Sequence, residues 1–181
     1  MNAGYPIDSD TLGNLRPIYD VVLSLGSNEG DSLATLQGAV DCLADTPNLA
    51  IVAVSGVYRT TPVDAPPQAD FYNLVVLADS TLEPLVLLER AQAIEEAYGR
   101  RRDIYHGPRT LDIDLIKVGR RTCDTAVLRL PHPGAATRAF VLIPWLDIEP
   151  KAELPQGRVA DLVRDLDRSG IARMDDMVIT L

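Results

Sequence analysis

Between residues 19 and 119 the apolar residues change period in a fixed order, and that order restricts the fold more than any other feature of the chain. YDVVLSLG (19 to 26) is a short, β-rich apolar run. SLATLQGAVDCLAD (32 to 45) then places Leu33, Leu36, Val40 and Leu43 at helical spacing. AIVAVSGVYRT (50 to 60) and FYNLVVLADS (71 to 80) return to strand patterns, joined by TPVDAPPQAD, a stretch too rich in proline for helix or strand. EPLVLLERAQAIEEAYGR (83 to 100) has Pro84 near its first turn, good helix formers after it, and Gly99 at its end. TLDIDLIKVG (110 to 119) alternates as a strand does.

The sum is β-α-β-β-α-β. It predicts an α+β fold with a ferredoxin-like core, an antiparallel four-stranded sheet with two helices on one face, followed by C-terminal additions. That topology hosts many activities and so decides none. Residues 1–18 read as a flexible N-terminal extension, and 19–181 as a single domain with a tail at 151–181. Past residue 120 the pattern is irregular and proline-rich, centred on RLPHPGAATRAFVLIPW (129 to 145). RVADLVRDLDRSG (158 to 170) reads as one short amphipathic helix packing through Val159, Leu162, Val163 and Leu166.

With 46% hydrophobic and 24% charged residues among 181, the composition is that of one globular domain. No apolar run approaches the roughly 20 residues that cross a bilayer, and the first residues have neither a basic start nor an apolar leader core. A cytoplasmic protein without a membrane partner is expected. A net charge of -9 and a pI near 4.6 argue against nucleic acid as the main partner. Arginines are nevertheless uneven: Arg100, Arg101, Arg102 and Arg109 fall close together, and Arg120, Arg121, Arg129 and Arg138 follow. Such a cluster suits a small polyphosphate, although a solvated, charge-balanced surface would have the same composition. Cys42 and Cys123 fit no metal-ligand spacing and are expected to be reduced core residues.

The sharpest local signal is GPRTLDIDL (107 to 115). On a strand, Asp112 and Asp114 point to one side, roughly 6.5 Å apart, while Leu111, Ile113 and Leu115 fill the other. Two such carboxylates repel each other unless positive charge lies between or above them. Two magnesium ions about 3.5 to 4 Å apart, shared with a triphosphate, would supply it. A polar sheet face open to water is the alternative, and the nearby Arg109 weighs against it. No phosphate-binding G-x-x-x-x-G-K-[ST] motif occurs, and Gly26, Ser27 and Asn28 read as a capped strand-to-helix turn. His132 lies between Pro131 and Pro133, which hold its ring in a set position for structure or for a phosphate. Phe71 and Asn73, two apart on a strand, could present a ring and an amide to a flat heterocycle, or could be core and turn residues.

At this point the chain resembles the 6-hydroxymethyl-7,8-dihydropterin pyrophosphokinase family over roughly residues 20 to 150. The resemblance is carried by LSLGSNEGD (23 to 31), VYRTTPV (57 to 63), FYNLVV (71 to 76), AQAIEEAYGR (91 to 100), GPRTLDIDL (107 to 115) and LPHPGAATRAFVLIPW (130 to 145). It implies a ferredoxin-like fold and diphosphate transfer from ATP, as co-substrate, to a reduced pterin in folate biosynthesis, with two Mg2+ ions held by Asp112 and Asp114. It implies further that Gln92, Glu95, Arg100, Arg109, Leu115, His132 and Arg138 line the ATP side. Arg100 and Arg109 join the two aspartates as catalytic groups. Thr60, Val63, Phe71, Asn73 and Phe140 make the pterin pocket, with the two phenylalanine rings sandwiching the bicycle. A monomer is expected. The chain departs from the family between Gly99 and Gly107, where Asp103 stands in a basic stretch and His106 precedes GPR in place of an aromatic residue.

Overall fold

The computed structural model describes residues 16–62, 66–99 and 110–181. The chain runs β1 (Tyr19–Ser27), α1 (Ser32–Ala44), β2 (Leu49–Val54), β3 (Tyr58–Thr60), β4 (Phe71–Ser80), α2 (Pro84–Ala97) and β5 (Asp112–Val118). It continues through the hairpin β6 (Cys123–Asp124) and β7 (Arg129–Leu130), a 3-10 turn at Ala135–Thr137, and α3 (Ala139–Ile148). The hairpin β8 (Glu153–Leu154) and β9 (Gly157–Arg158), α4 (Val159–Arg164) and β10 (Ile171–Arg173) complete it.

The expected order of elements up to residue 119 is present, but the sheet has six strands rather than four. Strand β1 is interior. It pairs antiparallel with β4 over its whole length and with β5 on its other side. The single strand expected at 50–60 is two: β2 and β3 occupy successive parts of the same β4 edge, the break falling at Ser55–Val57. The sixth strand, β10, comes from the tail and pairs with β3.

Each face of the sheet buries its own layer. On one side Leu36, Val40 and Leu43 of α1 and Leu87, Ala91 and Ile94 of α2 meet Leu23, Leu25, Leu74, Ile113 and Leu115. On the other, Val141, Leu142 and Trp145 of α3 and Val159 and Val163 of α4 meet Val22, Val75 and Ile116. The region read as irregular around 129–145 thus contains a helix that covers half the sheet. Pro144 lies inside α3 and removes the N–H that would bond the Phe140 carbonyl, which is why the sequence hides this helix. The helix expected over 158–170 is shorter, ending at Arg164.

Local chemistry sets the boundaries. Asp31 caps α1, its side chain accepting from Ala34 N–H at 3.0 Å, so the cap lies beyond Gly26 and Ser27, which remain in β1. Pro84 occupies the first turn of α2, and Gly99 follows its end with φ of 70°. In β5 a bulge at Ile116 lets Leu115 and Val118 face the α1/α2 layer while Ile116 faces α3. Cys42, expected in the core, is exposed on α1, and Cys123 is half-buried; both are free.

Candidate active site

Antiparallel pairing brings the C-terminal ends of β1 and β3 and the N-terminal ends of β4 and β5 to one end of the sheet, on the α3 side. Gly26 lies opposite Asp112 on one flank and opposite Asn73 on the other. Ser24 stands opposite Asp114, and Phe71 opposite Thr60. Asp112 and Asp114 are both half-buried, whereas Ile113 between them is buried in the opposite layer. The two carboxylates therefore share a face, as their spacing requires.

Positive charge meets them from α3. Arg138, at the start of that helix, places Nη1 3.8 Å from Asp114 Oδ2, and both side chains keep about a third of their surface open (39% and 32%). Its guanidinium also lies over the Phe140 ring at 5.9 Å from the centroid, a cation–π contact that fixes its direction. Gly134 makes room for it: a Cβ there would lie only 3.0 Å from the guanidinium.

His132 is held at the outer edge of β5, its N–H donating to Ile116 C=O at 2.8 Å. Its Nδ1 accepts from Gly134 N–H at 3.0 Å, which leaves the ring proton on Nε2. Burial first, and then the neighbouring Arg138 charge, lower its pKa from the usual 6.5, with Asp112 acting in the opposite sense. The imidazole is neutral at physiological pH. Beside it a pocket of about 250 Å³ opens, walled by Leu115, Asp114 and His132 together with Leu88 of α2 and Val127, Leu128 and Arg129 of the β6–β7 hairpin.

Across the sheet Asn73 and Thr60 are buried and joined, Asn73 Nδ2 donating to Thr60 Oγ1 at 2.8 Å. Gly26 is indispensable to this arrangement, because a Cβ there would stand 2.6 Å from Asn73 Oδ1. Phe71 is half-buried two residues before Asn73, and half-buried Phe140 packs on the α3-side core.

Eleven of the fourteen residues singled out from sequence and resemblance lie among the described residues: nine gather around this end of the sheet, and Glu95 and Gln92 are on α2 behind it. Glu95 is 2% exposed, and its Oε1 accepts from Ile113 N–H at 2.8 Å, so the carboxylate ties α2 to the strand that carries the aspartates. Gln92 is half-buried on the same helix. Arg100, Arg109 and Val63 lie outside the described residues. Two arginines counted with the basic cluster separate from each other. Arg121 sits at the far end of the sheet, bound to Glu83 at 2.8 Å and to Tyr19, whereas Arg129 lines the pocket and pairs with Asp124 at 3.3 Å. Leu88, Val127 and Leu128 were not anticipated; apolar residues in a short hairpin and on a helix give no signal distinguishing a pocket wall from core.

A family model for 7,8-dihydro-6-hydroxymethylpterin-pyrophosphokinase (HPPK) matches residues 22–150. The chain is similar to the 2-amino-4-hydroxy-6-hydroxymethyldihydropteridine pyrophosphokinase of Pseudomonas aeruginosa, at 39% identity over 87% of this chain and 98% of that one. The enzymes of the same name from Methylorubrum extorquens (42%, over 84% and 97%) and Mycobacterium leprae (47%, over 74% of each chain) are likewise similar. Among solved structures, an HPPK-DHPS in complex with substrates superposes with a TM-score of 0.68 at 14% identity, covering 87% of this chain and 46% of that one. Wild-type Plasmodium falciparum HPPK-DHPS with pteroate gives 0.63 at 16%, covering 82% of this chain. The chain spans less than half the length of these two proteins (46% and 42%), and the likeness to them is one of fold.

Proposed function

Since the chain belongs to the 7,8-dihydro-6-hydroxymethylpterin-pyrophosphokinase family, we propose that the site at this end of its antiparallel sheet transfers the diphosphate of ATP to the hydroxymethyl oxygen of the reduced pterin, releasing AMP. The observation that carries this reading is the shared face of Asp112 and Asp114, set between the Leu115–His132 pocket on one side and the Asn73–Thr60 pair on the other. A polyphosphate bound at the pocket and a heterocycle bound at the pair would meet over the two aspartates.

The donors fit magnesium. Both are carboxylates on one face of β5, and Asp114 keeps about a third of its side chain open to solvent (32%). Magnesium prefers one or two carboxylates with waters and substrate phosphates in its remaining positions. Asp112 and Asp114 would hold two such ions. When bound, they offset phosphate charge and ease deprotonation of the attacking hydroxyl.

The chain's own groups supply positioning, which is most of what phosphoryl transfer needs from a protein. The neutral His132 donates from Nε2 to a phosphate oxygen, and Arg138 leaves its long contact with Asp114 to do the same. Arg100 and Arg109 brace the phosphates. Leu115 and Gln92 face the nucleotide, and Glu95 keeps β5 in register beneath it. Asn73 uses one amide proton on Thr60 and presents the other, with Oδ1, to the pterin edge. Phe71 and Phe140 take its two faces, and Val63 closes its rim. A bond forms from the hydroxymethyl oxygen to the β-phosphorus as the bond from that phosphorus to the bridging oxygen of AMP breaks. All these residues belong to one chain, so a cytoplasmic monomer suffices.

The deciding experiment incubates the protein with ATP, magnesium and hydroxymethyldihydropterin. AMP should accumulate only when the pterin is present. ADP as product, or ATP consumption indifferent to the pterin, would remove the assignment.

A further inference from the structure

The pterin side of the site has two walls on different elements, Thr60 on β3 and Phe140 on α3, and a part-buried polar link joins those elements at a distance from the site. Tyr58 of β3 is 7% exposed, and its hydroxyl lies 2.8 Å from both carboxylate oxygens of Asp147 on α3. Tyr58 is two residues before Thr60, on the same face of the strand, roughly 7 Å away. Asp147 is seven residues after Phe140, two helical turns along the same face, roughly 10 Å away.

The C-terminal segment locks this link. Arg173 Nη1 lies 3.2 Å from Asp147 Oδ2, and its strand, β10, pairs with β3 so that Arg173 stands opposite Tyr58 and Ile171 opposite Thr60. Thr61 N–H donates to Gly170 C=O at 3.1 Å, and Met174 N–H to Val57 C=O at 2.8 Å, so the pairing extends past both ends of β3. Beyond β10 the chain crosses to the other layer, where Met177 and Ile179 pack and Gln37 of α1 exchanges hydrogen bonds of 2.8 and 2.9 Å with the Thr180 backbone. Without β10, β3 would be a three-residue edge strand.

We propose, on the reading of the pterin site given above, that Tyr58, Asp147 and Arg173 form a strut that sets the width of that site, with Tyr58 and Arg173 as positioning residues that never touch substrate. The lever is long enough to matter. Tilting α3 by 10° about Asp147 moves Phe140 by roughly 1.7 Å over the roughly 10 Å between them, enough to open an aromatic contact with the pterin face. The strut acts on the pterin walls first: the Leu115–His132 pocket is built on β5, α2 and the β6–β7 hairpin, and only Arg138, at the start of α3, would carry a tilt to the phosphate side.

The test compares the full chain with its Tyr58→Phe, Arg173→Ala and Arg173→Lys variants, varying each substrate at saturation of the other. Loss of one charge-assisted hydrogen bond corresponds to about a tenfold change. Tyr58→Phe should raise the pterin KM about tenfold and Arg173→Ala by somewhat less. Arg173→Lys should recover most of the loss, and the ATP KM, which the tilt reaches through Arg138, should rise by much less than the pterin KM. Arg173 is half exposed, so its variants keep the question decidable if Tyr58→Phe folds poorly. An unchanged pterin KM in the Arg173→Ala variant, or equal rises in both KM values, would overturn the strut. A wild-type chain that makes no pterin-dependent AMP would overturn the functional reading instead. Calorimetric titration of the same variants with pterin, in the presence of a non-hydrolysable ATP analogue, then decides the strut by the same criterion.

Discussion

The two faces of the sheet are built from the same strands and do different work. The face toward α1 and α2 is mainly aliphatic, with Leu25, Leu36, Val40 and Leu74 at or near zero exposure and Glu95 as its buried carboxylate. The face toward α3 carries Asp112, Asp114, Asn73 and Thr60 at one end and packs on Trp145 and Val141 only farther along. Alternation along each strand makes this possible, since every second residue serves a different layer. One layer holds the sheet in shape and the other presents polar groups from it. The sharpest way to break the comparison is to remove one group from each. Asp114→Ala should leave the fold intact and reduce turnover by three or more orders of magnitude, about 4 kcal/mol of transition-state stabilisation, measured as AMP release at saturating magnesium. Near-normal turnover would end the two-metal proposal.

Leu36→Ala is the converse. Leu36 is fully buried between α1 and the sheet, and truncation there should cost about 3 kcal/mol. Urea unfolding would show it as a lower midpoint. Activity per folded molecule should stay at the wild-type level, and a matching fall in kcat would mean that the two layers are not separable.

The sequence was most legible where the two layers alternate most cleanly. Strand β4 begins and ends where FYNLVVLADS does, and β5 shows Leu111, Ile113 and Leu115 on one side and the aspartates on the other. It was least legible where a layer is closed by chain remote in sequence. Nothing near Tyr58 signals that residues 171–173 will pair with β3, and nothing in the tail signals that Arg173 will meet Asp147. Helix α3 was concealed by Pro144 and by a composition apolar on every side, which removes the amphipathic period. Among site residues, the aspartates followed from spacing, but the lowered pKa of His132 depends on burial and on Arg138, which only the folded chain supplies.

A smaller effect separates the two ends of the α3 face from each other. Phe140→Ala removes one proposed wall of the pterin site and the ring beneath Arg138. Pterin affinity should fall on the order of tenfold, the usual scale for an aromatic contact of 1–2 kcal/mol. ATP affinity should change little. Equal losses for both ligands, read by calorimetry, would contradict a division of the face into pterin and phosphate halves.

The smallest expected effect concerns His132. Its folded-state pKa is lowered, chiefly by burial and then by Arg138, so below about 6.5, the ordinary histidine value, the unfolded chain takes up a proton more readily than the folded one. The stability that His132 contributes is therefore fully present above its unfolded pKa and is lost as pH falls through the folded value. One proton can change stability by at most about 1.4 kcal/mol per pH unit. Urea unfolding of the wild type and of His132→Gln at pH 7.5 and pH 5.5 isolates that loss, because every other titrating group is common to both chains. The wild type should lose more stability on acidification than the variant does. An equal loss would mean that the ring is as easily protonated in the folded protein as outside it.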